Sequence, residues 1–269
     1  MLMNFIRKFS TLAIISLLVF AISGVMQPKS VAAVTPKTAV VYGDSLTWES
    51  MWAFNDQIAI KNGWAGFAHT FPGTAPCDWL TWLPQDLATR NPSVVGLTSA
   101  GNVSSCVVDG NGVPLVRGTQ AYYDKYRTDL DAIFAQVTAT GAKMVFVKSP
   151  PMLDPVRNAA VIELTNIATE LAANYHGVSI SSVVRNALSK NGNYTDYKPC
   201  LANETTQPGC IGGQIPVRTL TGSQAGLHLC TEGLPAAYPY FCPTYSSGEY
   251  RFGKNLANTV VSPPPPILP

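Results

Sequence analysis

The stretch Thr38-Ala39-Val40-Val41-Tyr42-Gly43-Asp44-Ser45-Leu46-Thr47 decides the fold of this chain. Its first half is apolar and rich in valine, which is typical of a buried strand, and the Gly-Asp-Ser that follows predicts a tight turn. The next segment, from Trp48 to Ile60, has helical spacing of apolar residues. Ser45 is therefore expected between the carboxyl end of a strand and the start of a helix, where parallel sheets bind ligands. A purely structural role also fits, since Asp44, Ser45 and Thr47 are common helix N-cap residues.

Strand and helix patterns alternate along most of the remaining chain. The patterns predict strands at 64–70, 92–98, 143–147 and 178–180, and helices at 78–88, 120–138, 157–175, 182–189 and 246–261. This alternation predicts a three-layer α/β/α sandwich with a mainly parallel central sheet. Residues 191–245 are instead rich in Gly, Pro and Asn and predict a long structured loop region of the kind that often carries function.

The N-terminus has the pattern of an export signal. Arg7 and Lys8 precede an apolar run from Thr11 to Met26, and Val31-Ala32-Ala33 offers small residues for cleavage. We expect residues 1–33 to be a signal peptide, with an uncleaved anchor as the alternative, and the mature protein to be secreted or held in the cell envelope. A domain over 34–261 and a Pro-rich C-terminal tail over 262–269 would follow.

Composition and cysteine content narrow the class of protein. With 46% hydrophobic and 13% charged residues and a net charge of +2, the 269-residue chain can build a large core. It has no basic stripe with interleaved aromatic residues, so nucleic acid is not an expected partner. Six cysteines without a C-x-x-C pair or a histidine at zinc spacing favour disulfides over a metal site. We expect sequential pairing: Cys77–Cys106, Cys200–Cys210 and Cys230–Cys242.

Four polar segments follow one another in the chain: Gly43-Asp44-Ser45, Phe71-Pro72-Gly73, Gly101-Asn102 and Gly226-Leu227-His228. The first and third follow strands, whose carboxyl ends meet at one edge of a parallel sheet. Each segment also has a structural interpretation, since glycine and asparagine are common turn residues and a histidine can simply lie in a surface loop.

The order of Ser45, Gly73, Asn102 and His228 resembles the four blocks of the SGNH/GDSL hydrolases, a family of esterases and acyltransferases. The six cysteines and the Gly-Leu-His-Leu-Cys segment look most like secreted actinobacterial members. The resemblance covers the whole predicted mature domain and implies a flavodoxin-like SGNH hydrolase fold. It also implies Ser45 as nucleophile, His228 as base, and an oxyanion hole formed by the N–H groups of Ser45 and Gly73 and the Asn102 amide.

The chemistry of these residue types agrees with that resemblance. A serine hydroxyl needs a neighbouring base such as imidazole, and the tetrahedral oxyanion needs preorganised donors. The expected protein is a monomeric secreted esterase that hydrolyses O-acyl esters, lipid- or carbohydrate-linked, through an acyl-enzyme and without a cofactor. Two alternatives remain: an O-acyltransferase, and a weak or inactive SGNH-fold module that binds carbohydrate or the cell envelope.

The acid that orients the histidine is the main departure from the family. The family usually has Asp three residues before the histidine, where this chain has Ala225, and Asp44 is interpreted as structural. A backbone carbonyl near 223–225 could accept from the imidazole and leave a Ser–His dyad, or Asp154 or Glu232 could reach it, or activity could be lost. Asn102 directly follows Gly101, as in the family's Gly-Asn variants. His69 is a candidate for lining the site.

Four tryptophans in the first third of the chain have two interpretations. They could line an acyl or sugar pocket, but aromatic residues at helical spacing more often belong to a core. The core is the expected place for this set, which comprises Trp48, Trp52, Trp79 and Trp82.

Overall fold

A five-stranded parallel sheet forms the centre of the protein, in the order β2-β1-β3-β4-β5. The computed structural model describes residues 35–231, 242 and 245–267. The five strands form at or close to the positions that the sequence predicts. The strands are β1 (Lys37–Gly43), β2 (Trp64–Thr70), β3 (Val94–Thr98), β4 (Lys143–Val147) and β5 (Val178–Ser181).

Helices connect these strands and cover both faces of the sheet. They are α1 (Ser45–Glu49), α2 (Met51–Ala59), α3 (Pro76–Trp79), α4 (Leu83–Arg90), α5 (Gln120–Ala139), α6 (Pro155–Ala172), α7 (Val183–Ala187) and α8 (Ser247–Val261). Two buried clusters fill the spaces between the layers. In one, Val40, Leu97 and Phe146 pack with side chains of α5 and α6. In the other, Val41 and Val145 pack with side chains of α2 and α8.

The strand order is that of the flavodoxin-like doubly wound fold, and it places the candidate site. In this order the direction of winding reverses between β1 and β3, and ligands bind at the carboxyl ends of the strands at that point. The Gly43–Ser45 turn follows β1, and the Gly101-Asn102 turn follows β3. The three-layer α/β/α sandwich predicted from the sequence is therefore confirmed.

The loop-rich region after α7 contains little regular structure. A short antiparallel pair, β6 (Tyr197–Pro199) and β7 (Gln214–Pro216), and a 3₁₀ turn at Ala202–Glu204 are its regular elements among the described residues. The disulfides Cys77–Cys106, Cys200–Cys210 and Cys230–Cys242 are formed, the same three pairs that sequential pairing predicts. Two of them cross-link this region, which lacks the packed faces of the sheet and its helices.

Two predicted helices are each divided into two. The segment predicted at 78–88 forms α3 and α4, because Pro84 sits in the first turn of α4 and cannot extend a helix that precedes it. The segment predicted from Trp48 breaks at Ser50, the C-cap of α1, whose φ of −92° and ψ of 2° depart from α-helical values. The Ser50 hydroxyl donates to the Leu46 carbonyl there, and such bonds bend helices in a way that apolar spacing cannot show.

The predicted signal peptide at 1–33 and the last two residues of the tail lie outside the described residues. Within the described ranges, no helix is both long and apolar enough to span a membrane.

Candidate active site

Ser45 is the first residue of α1, directly after the end of β1. Asp44 is the N-cap of this helix, and its Oδ1 accepts a hydrogen bond from the Leu46 N–H at 3.1 Å. Gly43 is required by crowding, since a Cβ at this position would lie 2.1 Å from Thr47 Oγ1 and 2.5 Å from Thr98 Oγ1. The Thr47 and Thr98 hydroxyls bond each other there, so the turn is tied to the end of β3.

Asp44 joins the turn after β1 to the turn after β3. Its Oδ2 accepts from the Ala100 N–H at 2.5 Å and from Asn102 Nδ2 at 3.4 Å. Burial raises the pKa of Asp44 to about 6, although its backbone hydrogen bonds and the His228 and Arg157 charges act in the opposite direction. These contacts give Asp44 a structural role, as its sequence position suggests.

Asn102 makes three hydrogen bonds in addition to the one with Asp44. Its Nδ2 donates to the Thr74 carbonyl at 3.2 Å, its Oδ1 accepts from Arg157 Nη1 at 3.2 Å, and its backbone carbonyl accepts from the Tyr126 hydroxyl at 2.6 Å. The contact with Thr74 brings the turn that contains Gly73 against Asn102. Gly73 itself is exposed with a φ of +77°, a conformation that favours glycine. The second and third polar segments are therefore adjacent in space.

His228 is buried and paired with a carboxylate from α1. Its Nδ1 bonds Glu49 Oε1, and the other carboxylate oxygen, Oε2, accepts from the Leu229 N–H at 2.8 Å. Glu49 is 1% exposed and His228 is 6% exposed, so the pair is shielded from water. A carboxylate only accepts hydrogen bonds, so Nδ1 is the donor and Nε2 remains as the basic nitrogen.

Ser45 and Glu49 lie four residues apart in α1, which places them on one face of the helix. An imidazole bonded to Glu49 therefore lies on the side of α1 that carries Ser45. The negative charge of Asp44 also interacts with His228, which is consistent with this placement.

Two further charged groups, Arg218 and Glu249, interact with the charge of Glu49. Arg218 is fully buried, donates to the Pro151 carbonyl at 3.1 Å, and has its pKa lowered to about 10 by burial. Burial and the nearby Glu49 charge raise the pKa of Glu249, in the first turn of α8, to about 7. The carboxylate that bonds the histidine thus interacts with a buried cation and with a second acid.

Sequence reasoning missed Glu49. The partner of His228 is neither a backbone carbonyl near 223–225 nor Asp154, and Glu232 lies outside the described residues. The available signal was an acidic residue one helical turn after Ser45 in a segment with buried character, because a buried glutamate is rarely found without a partner. Glu49 lies 179 positions from His228, so no spacing between the two residues points to it.

Other candidate residues lie elsewhere. His69 pairs with Asp86 at 3.1 Å and packs against Tyr42 and Trp82, and none of these three contacts involves Ser45, Asn102 or His228. Cys77, Asp78 and Cys106 lie close enough to share a metal ion, but both sulfurs are in a disulfide and offer no thiolate.

The tryptophans follow the core interpretation only in part. Trp79 is buried in the core, but Trp52 and Trp82 are 60% and 46% exposed, so that interpretation is wrong for these two.

Several solved structures resemble this chain at low sequence identity. TesA matches with a TM-score of 0.49 and 16% identity, over 83% of this chain and 97% of TesA. A lipase/acylhydrolase from Enterococcus faecalis matches with a TM-score of 0.40 and 20% identity, over 54% and 74%. The acetyl xylan esterase AlAXEase matches with a TM-score of 0.38 and 15% identity, over 50% and 73%.

Sequence comparison assigns the family. No curated protein sequence matches the chain. Residues 38–207 match the family model described as "Protein of unknown function (DUF459)". This match begins at β1 and runs through the serine turn, the Gly73 turn, the Gly101-Asn102 turn and all five strands of the sheet. The chain therefore belongs to the DUF459 family, whose matched segment contains Ser45, Glu49 and Asn102.

Proposed function

We propose that this protein is a secreted SGNH-type serine esterase in which Ser45, His228 and Glu49 form a catalytic triad. The observation that carries the proposal is the buried pair between His228 Nδ1 and the Glu49 carboxylate. It supplies the acid that the sequence lacks at Ala225. The fold supports this role because it brings three of the polar segments to the carboxyl edge of the sheet.

The geometry supports a two-step acyl transfer. Nε2 of His228 takes the Ser45 hydroxyl proton as Oγ forms a bond to the ester carbonyl carbon. When the tetrahedral intermediate collapses, the C–O bond to the alcohol breaks and His228 returns the proton to the leaving oxygen. Water then attacks the acyl-Ser45 ester with the same base, which releases the carboxylic acid and restores the Ser45 hydroxyl.

Glu49 would act through His228 and not on the substrate. Its carboxylate fixes the imidazole tautomer that leaves Nε2 unprotonated, and it stabilises the imidazolium that forms when the proton is taken. Because α1 carries both Ser45 and Glu49, the nucleophile and the orienting acid belong to one rigid element. A substitution of Glu49 should therefore disturb the base without removing the nucleophile.

The oxyanion would bind to the Ser45 N–H, the Gly73 N–H and Asn102 Nδ2. The first of these is an unpaired donor at a helix start, where it has no intrahelical partner. The hydrogen bonds from Asn102 Nδ2 to the Thr74 carbonyl and to Asp44 are long, at 3.2 and 3.4 Å. A developing negative charge on the substrate can therefore compete for the Nδ2 donor. Arg157 polarises the same amide through its oxygen.

The test is hydrolysis of p-nitrophenyl acetate by S45A. We expect kcat/KM to fall by about 10³-fold or more, since only binding and the oxyanion donors remain. S262A is the matched control. Ser262 follows the C-terminal end of α8, whereas Ser246, before its N-terminal end, donates to the Leu229 carbonyl in the histidine loop, the segment 219–230 that carries His228. Equal rates for S45A and the native protein would contradict the proposal.

The same serine would serve an O-acyltransferase. Product analysis with an added sugar acceptor separates transfer, which yields an O-acylated sugar, from hydrolysis, which yields the free acid. Secretion is supported by the three disulfides, which are typical of proteins that fold in oxidising compartments. Mass determination of the exported protein would test cleavage after Ala33.

A further inference from the structure

A cavity of about 280 Å³ is lined by two arginines and by the segment that precedes His228. One wall is the start of α6 with Arg157, another is Arg117, and a third is the segment 223–227 directly before His228. The remaining wall residues include Met152 and Asp154. The cavity thus lies beside the loop that carries the proposed base.

Both arginines also touch the turn that carries Asn102. Arg157 Nη1 donates to Asn102 Oδ1 at 3.2 Å, and Arg117 Nε donates to the Gly101 carbonyl at 2.7 Å. The cavity is therefore lined by the segment that precedes His228 and by two arginines that hydrogen-bond the Gly101-Asn102 turn. Under the proposed function both of these parts of the chain act on the ester, so a group carried by the ester would face this cavity.

The charge of the cavity favours an anion. Neither Arg117 nor Arg157 forms an ion pair with a carboxylate in the part of the chain that the structure describes. Each guanidinium has five N–H donors, and the hydrogen bonds to Asn102 and Gly101 use one apiece. Planar donor sets of this kind match carboxylate and phosphate oxygens.

The acidic groups nearby do not cancel this charge. Asp154 lines the cavity as the N-cap of α6, where its Oδ1 accepts from the Arg157 N–H at 2.7 Å. Asp44 also interacts with Arg157. Burial and the positive charge of Arg117 lower the pKa of Arg157, while these two acids raise it. The cavity wall itself carries two cations and one acid, so a bound anion would relieve the repulsion between the guanidinium groups.

We propose that this cavity, the Arg117–Arg157 subsite, binds a carboxylate or phosphate group carried by the ester substrate. This proposal rests on the proposed function, since it takes Ser45 as the nucleophile. It predicts a preference for anionic esters over neutral esters of the same shape. The preference should weaken as salt concentration rises, because the subsite is open to solvent on one side.

The first test compares three acetate esters: 4-acetoxybenzoate, 4-acetoxyphenyl phosphate and methyl 4-acetoxybenzoate. We expect R117Q to lower kcat/KM for the two anionic esters by about 10-fold to 100-fold, mainly through KM, as is usual for a lost hydrogen bond to a charged group. The neutral ester should change by less than about threefold, and R117K should retain part of the preference. The better of the two anionic esters identifies carboxylate or phosphate as the natural group.

R127Q is the matched control, since Arg127 pairs with Glu170 on the exposed side of α5 and α6. It should leave the ratio of anionic to neutral rates unchanged. An equal loss on all three esters in R117Q would overturn the subsite, because it would indicate that Arg117 only supports the Gly101 turn. Absence of any preference in the native protein would overturn it as well.

A binding measurement keeps the two proposals separate. Calorimetry with 4-acetamidobenzoate, an amide that the enzyme should not cleave, should show binding that is weakened in R117Q and absent for the neutral methyl ester of the same compound. Binding without Ser45-dependent hydrolysis would retain the subsite and contradict the proposed function. Ser45-dependent hydrolysis without anion binding would contradict the subsite alone.

Discussion

The sheet edge and the histidine loop hold the candidate catalytic residues in different ways. The sheet edge is formed by residues 43–49 and 99–102. It carries Ser45 and Glu49 as the first and last residues of α1, and Asn102 in the turn after β3. The histidine loop, residues 219–230, carries His228 and contains no helix or strand. The first region extends from the ends of two hydrogen-bonded parallel strands and one helix, with side-chain contacts that fix its turns, whereas individual tertiary contacts alone set the second.

The contacts of the histidine loop can be named one by one. The Thr219 N–H donates to the His228 carbonyl at 2.9 Å, and the Gly226 N–H donates to the Thr219 carbonyl at 2.9 Å. The Ser246 hydroxyl donates to the Leu229 carbonyl, and the Leu229 N–H donates to Glu49. The disulfide from Cys230 fixes the far end.

Glu49 links the two regions through two hydrogen bonds. One carboxylate oxygen bonds the imidazole, and the other binds the backbone of the histidine loop at the next residue. An acid supplied by the loop itself, three residues before the histidine, would orient the ring but would not attach the loop to α1. The acid from the sheet edge makes both contacts, so it attaches the loop to α1 and also orients the imidazole.

The largest expected effect comes from E49Q, which breaks the link between the two regions. The Gln side chain has one acceptor oxygen, which can bond either the Leu229 N–H or the His228 Nδ1–H. Its NH₂ group is a donor and would face the other N–H without a hydrogen bond. We expect kcat/KM for p-nitrophenyl acetate to fall by about 10²-fold to 10⁴-fold, as in triads whose acid is made neutral. E170Q, at an exposed ion pair, is the matched control and should leave the rate unchanged.

A225D tests the same role of Glu49 from the other side. Because His228 Nδ1 already has a carboxylate partner, an Asp three residues before His228 should give no gain in rate in the native background. A rate increase in A225D, or a rate in E49Q equal to that of E170Q, would contradict the role of Glu49.

Sequence patterns predict the sheet edge well because its elements are local. The apolar run before Gly43 and the periodicity of the helices identify strands and layers, and the right-handed winding of parallel strands brings their carboxyl ends together. The resemblance to SGNH/GDSL hydrolases then points to Ser45, Asn102 and His228. The contacts of the loop are not visible in the same way, because no short-range pattern relates Glu49 to a residue 179 positions later. The exposed Trp52 and Trp82 show a related limit, since helical spacing cannot indicate which face meets the core.

An intermediate effect is expected when the histidine loop loses its disulfide. C230S/C242S removes a 12-residue cross-link and C200S/C210S removes a 10-residue one. The chain-entropy model therefore predicts similar losses in the free energy of unfolding, about 3 kcal/mol each. Activity should separate them: the first pair adjoins Leu229, whose N–H binds Glu49, whereas the second pair cross-links a segment next to the β6–β7 pair.

We expect kcat for C230S/C242S to fall by about 10-fold at a temperature where both variants are folded, and kcat for C200S/C210S to stay near the native value. Circular dichroism melts would establish the folded range, and steady-state kinetics would give the comparison. Equal losses of kcat would mean that the disulfide has no particular role in placing His228.

The smallest expected effect concerns Glu249, which lies in the first turn of α8 and interacts with the Glu49 charge. Its pKa is raised to about 7, chiefly by burial and secondarily by the Glu49 charge, so the folded state binds its proton more tightly than the unfolded chain does. The stability that this proton confers is complete below the ordinary glutamate pKa and is lost as pH rises through about 7.

The variant E249Q stays neutral and lacks this loss. The Tm of the native protein should therefore fall relative to that of E249Q by about 2–4 °C between pH 5 and pH 8. E170Q, at a solvent-exposed position, should run parallel to the native protein, and the same slope in E249Q would show that Glu249 does not titrate in this range.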